Sequence, residues 1–159
     1  MLRALFHYFG DARRLGLADF ARKHGEGPWL LVEAFDQAEE VRVATVAGGG
    51  GAGGERVLGP IRKREGANAF ETMITVGRAA NNDLPIPSSD VSSFHAYFTL
   101  GEGGAIHLTD AASSYGTRLD GVLLESNRAA PVRAGQTLYF ASVQARVLEV
   151  EQAYLMLKV

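Results

Sequence analysis

From Arg56 to Leu148 the chain is a succession of short β-forming runs, cut by turn residues at nearly regular spacing. No other feature limits the fold as much. Predicted strands lie at residues 57–62, 70–76, 84–86, 95–100, 105–109, 122–124, 137–141 and 143–148. Between them stand Gly66-Ala67-Asn68, Gly77, Asn81-Asn82-Asp83, the glycine-rich stretch 101–104, Asp120-Gly121 and Ala134-Gly135. Short strands punctuated in this way build an all-β sandwich or barrel. No helix-length periodic window falls between Arg56 and Val150, which argues against an α/β fold. With 47% of 159 residues apolar, one domain can bury a true core.

Residues before this region read differently. Leu2, Leu5, Phe6 and Phe9 form one helical stripe, and Leu17, Phe20 and Ala21 another. Gly10 and Gly16 weaken their continuity, and Gly25-Glu26-Gly27-Pro28 ends them. Residues 29–35 and 41–46 read as strands. Residues 1–28 are thus expected to be a helical N-terminal extension and residues 29–159 the sandwich. Removing 1–54 is expected to destabilise the sandwich, and removing 1–26 to leave it intact. At the C-terminus a short helix is expected, with Ala153, Met156 and Leu157 on one face.

Composition excludes several classes of chemistry. The chain has no cysteine, so disulfides and thiolate metal sites are impossible, and a reducing, cytoplasmic setting suits it. A net charge of -2 gives no global attraction to nucleic acid or anionic lipid. Arg62-Lys63-Arg64 has no interleaved aromatics and reads as a solvated turn. The apolar first nine residues are too short to span a bilayer. Gly49, Gly51 and Gly54 match G-x-G-x-x-G, but Gly59-Pro60 follows where a dinucleotide site needs a helix. The tract therefore reads as a linker or long hairpin loop. If Leu100 pairs with Ala105, His107 faces Phe98 and His95 faces Asp110. The histidines then do not meet, and no metal is expected. Ser92, His95 and Asp110 lack a nucleophile elbow. Nothing here predicts an enzyme or a cofactor.

A stronger constellation runs from Ile74 to Gly121. It reads Ile74-Thr75-Val76-Gly77-Arg78, then Asn82-Asp83-Leu84, then Val91-Ser92-Ser93-Phe94-His95-Ala96. Last comes Asp110-Ala111-Ala112-Ser113-Ser114-Tyr115-Gly116-Thr117-Arg118-Leu119-Asp120-Gly121. In order and spacing it resembles the forkhead-associated (FHA) domain family, whose pattern is G-R, N-D-[IL], V-S-[RK]-x-H-A and D-L-x-S-x-N-G-T-x-[VL]-N-G. The resemblance implies a β-sandwich of two twisted, mostly antiparallel sheets that binds phosphothreonine peptides through loops at one end. It also implies a partner that is a phosphorylated protein, such as a Ser/Thr kinase or its substrate, and no nucleic acid or membrane.

The implied phosphopeptide-binding residues are Arg78, Ser92, Ser93, Ser113, Ser114 and Tyr115, with Gly77, His95 and Gly116 as loop support. Arg78 can meet two phosphate oxygens at once, and the Ser92 and Ser113 hydroxyls can donate to the same group. Two positions depart from the family. Ser93 stands where Arg or Lys is usual, and Tyr115 where an asparagine holds the ligand backbone. A sandwich that binds partners without phosphate is the alternative.

Overall fold

The computed structural model describes residues 1–36 and 55–158. The strand expected at 41–46 and the glycine tract at 48–54 lie outside the described residues. Two sheets face each other. The larger comprises β1 (Arg3–Ala4), β2 (Trp29–Val32), β3 (Val57–Pro60), β8 (Thr117–Leu119), β9 (Val122–Leu123), β11 (Thr137–Phe140) and β12 (Val143–Leu148). Its seven strands run in the order β1-β3-β2-β12-β11-β8-β9. The smaller comprises β4 (Ile74–Gly77), β5 (Leu84–Pro85), β6 (Ala96–Leu100), β7 (Ile106–Asp110) and β10 (Ala130–Val132). Its order is β10-β7-β6-β4-β5, with β4 and β5 parallel and its other pairs antiparallel.

The expected sandwich follows from period-two alternation. Val143, Ala145 and Val147 of β12, Leu138 and Phe140 of β11, and Ala96 and Phe98 of β6 all point inward, where they are buried. Leu30, Val32, Ile74, Val76 and Leu108 belong to the same inter-sheet core.

A second core lies on the outer face of the larger sheet. Helices α1 (Phe6–Arg14), α2 (Leu17–His24) and α3 (Val150–Leu157) pack there through Tyr8, Ala12, Phe20, Ala153, Tyr154 and Leu157. They cover Trp29, Leu31, Leu58 and Leu148. This explains the unbroken apolar run of β2: Leu30 and Val32 enter one core, Trp29 and Leu31 the other. Trp29 is fully buried, with ring centroids of Tyr8 and Phe20 at 5.2 and 5.8 Å. Its indole N–H donates to the Gly25 carbonyl at 3.0 Å. The Tyr154 hydroxyl donates to the Leu15 carbonyl at 2.8 Å, tying α3 to the N-terminal region. Asp11 of α1 meets Lys23 and His24 of α2 at 2.7 and 2.9 Å, and these partners hold its carboxyl well below the usual range.

Several expectations are corrected here. The N-terminal region, expected as a separate helical extension, is packed into the fold: Arg3 and Ala4 pair with β3, and Phe20 stacks on Trp29. Strands β8 and β10 were not expected, and β4 starts at Ile74 rather than at residue 70. The β6–β7 register is shifted by one, with Leu100 opposite Ile106 and Ala96 opposite Asp110. A 3-10 turn at Glu102–Gly104 lengthens the hairpin loop, and Gly101 N–H closes it on the Ala105 carbonyl at 2.8 Å. His107 therefore sits opposite Thr99, and His95 lies just before the strand. Among the described residues no helix is long and apolar enough to cross a membrane.

Candidate functional site

The loops after β4, before β6 and after β7 meet at one end of the sandwich. Arg78 follows β4 directly. Its backbone N–H donates to the Ser92 carbonyl at 2.9 Å. Its guanidinium donates from Nη1 to the Val91 carbonyl at 2.7 Å and from Nη2 to Ser93 Oγ at 3.0 Å. The chain can pass this closely because residue 77 is glycine. A Cβ there would strike the Ser93 carbonyl oxygen and approach Asn82 Nδ2 to 2.8 Å.

His95 links two of the loops. It is fully buried, and its Nδ1 accepts the Ser92 backbone N–H at 3.1 Å. That places the ring proton on Nε2, which donates to the Gly116 carbonyl at 3.0 Å. Burial lowers its pKa from the usual histidine value, more than the Gly116 bond and nearby Asp110 and Asp90 raise it. The unfolded chain therefore takes up this proton first. The stability contribution is complete above the ordinary histidine pKa of about 6.5 and declines as pH falls through and below it. Denaturant unfolding between about pH 7 and pH 5 should show this decline, and His95→Gln should make it shallower, the Met1 amino group (lowered to about 6) and His7 supplying the remainder. Equal slopes in both proteins would refute the assignment. The acidic groups with lowered values, Asp83, Asp90 and Asp110, titrate below this window.

Asp110, almost fully buried at the end of β7, organises the third loop. It accepts bonds from Ser113 Oγ at 2.6 Å, Thr117 Oγ1 at 2.7 Å, Ser126 Oγ at 2.9 Å and Ser113 N–H at 3.2 Å. Burial alone would raise its pKa, but these bonds outweigh it and the net direction is down. Ser113, expected as a phosphate donor, braces the loop in this structure. Its hydroxyl proton is held by Asp110, and its oxygen accepts Gly116 N–H at 3.0 Å. Gly116 itself has φ +85°, and a Cβ there would lie 2.6 Å from Leu123 Cδ1. Ser92 Oγ accepts the Ser114 N–H at 3.0 Å, which leaves the Ser92 hydroxyl proton free to donate outward. Ser114 is exposed beside it, and Tyr115 is 72% exposed.

A buried network beneath the Arg78 loop was missed in the sequence. Asp83, fully buried, accepts from Lys63 Nζ at 2.7 Å, Arg64 N–H at 2.8 Å and Thr75 N–H at 2.8 Å. Lys63 also donates to Asn68 Oδ1 at 2.7 Å and the Met73 carbonyl at 3.0 Å. Arg64 Nη2 donates to the carbonyls of Ala80 and Asn82. The basic run at 62–64 is therefore not simply a solvated turn. Two of its three cations anchor the loop that carries Arg78. The available signal was Asp83 itself, an acid placed directly before an apolar strand.

Residues 74–141 match the family model of the FHA domain. The chain carries an FHA domain. Its fold agrees with solved FHA domains at low sequence identity. The FHA domain of the CT664 protein from Chlamydia trachomatis superposes with a TM-score of 0.51 at 16% identity, covering 77% of this chain and 98% of that one. The MEK1 FHA domain gives 0.51 at 18% identity, covering 78% and 90%. Mycobacterium tuberculosis EmbR, solved in complex with a low-affinity phosphopeptide, gives 0.44 at 21% identity. That match covers 51% of this chain, which spans 21% of the EmbR chain. No curated protein is significantly similar in sequence. The FHA fold is a non-catalytic binding module, and the family generally binds phosphothreonine peptides. Within this FHA domain, Arg78, Ser92, Ser93 and Ser114 share one end of the sandwich, with Gly77, His95 and Gly116 behind them.

Proposed function

We propose that this FHA domain binds phosphothreonine-containing segments of partner proteins at the loop end carrying Arg78. The observation that supports it most is the state of Arg78. Its guanidinium is held by Val91 and Ser93 through one N–H of each terminal nitrogen, leaving further N–H groups for an anion. A phosphate carrying about -1.5 to -2 charge takes such a fork bidentately. Ser92 Oγ adds a hydroxyl donor, Ser114 offers a second at the surface, and Ser113 holds the loop that presents them. Ser93 and Tyr115 form the rim. The reaction is reversible recognition with no cofactor and no catalytic step. The partner is a phosphorylated protein, a Ser/Thr kinase or its substrate, rather than nucleic acid or a membrane. A cytoplasmic setting suits a cysteine-free chain of this kind.

Titration with paired phosphorylated and unmodified threonine peptides, chosen from an array, tests this reading. Selective binding of the phosphorylated member supports it. Equal binding of both supports phosphate-independent recognition, which Tyr115 favours by exposing a ring where the family has an amide. Ser93→Lys is expected to tighten phosphopeptide binding by about 0.2–1 kcal/mol, the range of an exposed ion pair. The gain should shrink as salt is raised. No gain at low salt would mean that position 93 does not face the phosphate.

A further inference from the structure

We propose that β9, the free edge of the larger sheet, pairs antiparallel with β9 of a second copy, so that the chain self-associates edge to edge. Leu123 lies opposite Leu123 of the second copy, on the two-fold axis. This goes beyond peptide recognition and does not depend on it.

The turn at Asp120-Gly121 fixes the direction of each backbone group. In the β8–β9 register Leu119 faces Val122 and Arg118 faces Leu123. Leu124 N–H donates to the Thr117 carbonyl at 2.9 Å. Bonded and non-bonded pairs alternate along an antiparallel ladder. Thr117 and Leu124 are bonded, so Arg118 and Leu123 are not, and the Leu123 N–H and C=O point away from β8. β9 ends the sheet, so among the described residues these two groups meet no further strand. One donor and one acceptor on a single residue are what an antiparallel Leu123 of a second copy requires.

The other sheet edges are blunted, and this one is not. β1 carries Arg3, β5 carries Pro85 and β10 carries Pro131. Charge and proline are the usual guards against edge pairing. β9 has neither, and its Val122 and Leu123 side chains are 67% and 55% exposed.

The two faces of the edge point to a second copy as the occupant. Leu119 and Leu124 pack against the inter-sheet core. Val122 stands opposite Leu119 and two residues from Leu124, so it shares their face, at the open margin of that core. With Leu123 on the axis, Val122 of each copy faces Leu124 of the other, and the two cores become continuous. Glu125 falls opposite Gly121, which has no side chain to oppose it. The neighbouring registers that keep the bonds set Leu123 against Gly121 or Glu125 instead. The chosen register is therefore the one that matches apolar groups, and every contact occurs twice, as in an isologous interface.

Sedimentation velocity across the micromolar range tests this, because an interface built on one edge strand is small and its dimer weak. Wild type should show a concentration-dependent monomer–dimer equilibrium. Val122→Lys places a charge on the edge. Leu123→Pro removes the outward N–H and spares the β8 ladder. Each should weaken dimerisation at least about tenfold, with the melting temperature of dilute protein checking the fold. The chain has no cysteine, so Leu123→Cys adds a single thiol. A short thiol cross-linker should join two copies of that variant, and not of Gly10→Cys, a position on α1 with open space around it. Wild type that stays monomeric, a dimer that survives both edge variants, or equal cross-linking at position 10 would overturn the proposal. Monomeric wild type that instead takes up an added apolar strand peptide of unrelated sequence would assign the edge to another protein, and overturn it too.

Discussion

Phe20→Ala is expected to lower the unfolding free energy by about 3–5 kcal/mol, the range for truncating a buried aromatic. Phe20 is fully buried in α2 and sits between Trp29 of the larger sheet and Tyr154 of α3, at 5.8 and 5.4 Å. Truncation leaves a cavity at the junction of three elements, two of them short helices that do not persist alone. The loss is a large share of a typical domain stability of about 5–15 kcal/mol. Trp29 is the sole tryptophan and is 0% exposed, so its emission reports the event directly. The variant should show an earlier denaturant midpoint by fluorescence. Phe6→Ala, at a ring 68% exposed on the neighbouring helix, is the control and should change little. A Phe20→Ala loss below about 1 kcal/mol would mean that the helices are ornament on a self-sufficient sandwich.

Arg78→Ala is expected to cost about 2–5 kcal/mol in phosphopeptide binding, the usual penalty when one member of a desolvated charge pair is removed. In affinity this is about 1.5 to 3.5 decades. Arg78→Lys should recover little. An ammonium cannot bond the Val91 carbonyl and Ser93 Oγ while also facing two phosphate oxygens, as the planar fork can. Because Arg78 also braces the segment at 91–93, the melting temperature must be measured alongside. Isothermal titration of phosphorylated and unmodified peptides separates the two effects. Loss confined to the phosphorylated peptide is the expected outcome. If Arg78→Ala leaves its affinity unchanged in a folded protein, the phosphate does not bind there.

The family motif was legible because its residues are dictated locally. Gly77 and Gly116 are needed where backbone or side chain approaches too closely for a Cβ. Asp120-Gly121 serves the turn between β8 and β9, with both φ values positive, as the Asp-Gly pair predicts. The inward residues of β11 and β12 show in their alternation. By contrast, β8 and β10 are three-residue strands, the second at a sheet edge and containing Pro131, and carry too few residues for a periodic signal. The β6–β7 register turned on one residue of loop length, which glycine-rich sequence does not specify.

The role of Ser113 could not be read from its residue type, since a serine hydroxyl suits a phosphate as well as a loop. Asp110, three residues away, takes its proton, and that depends on how the loop closes. Likewise the Asp83 cluster joins residues up to 20 positions apart, and the cations at 63 and 64 differ from a surface pair only once folded. The sequence by itself determined the sandwich, the order of the three loops and the residue types at their end, because strand alternation and turn geometry act over a few residues. Tertiary structure alone decided which hydroxyls remain free and that the N-terminal helices seal Trp29. These depend on contacts between distant segments, whose partners an amphipathic stripe or a lone polar side chain does not name.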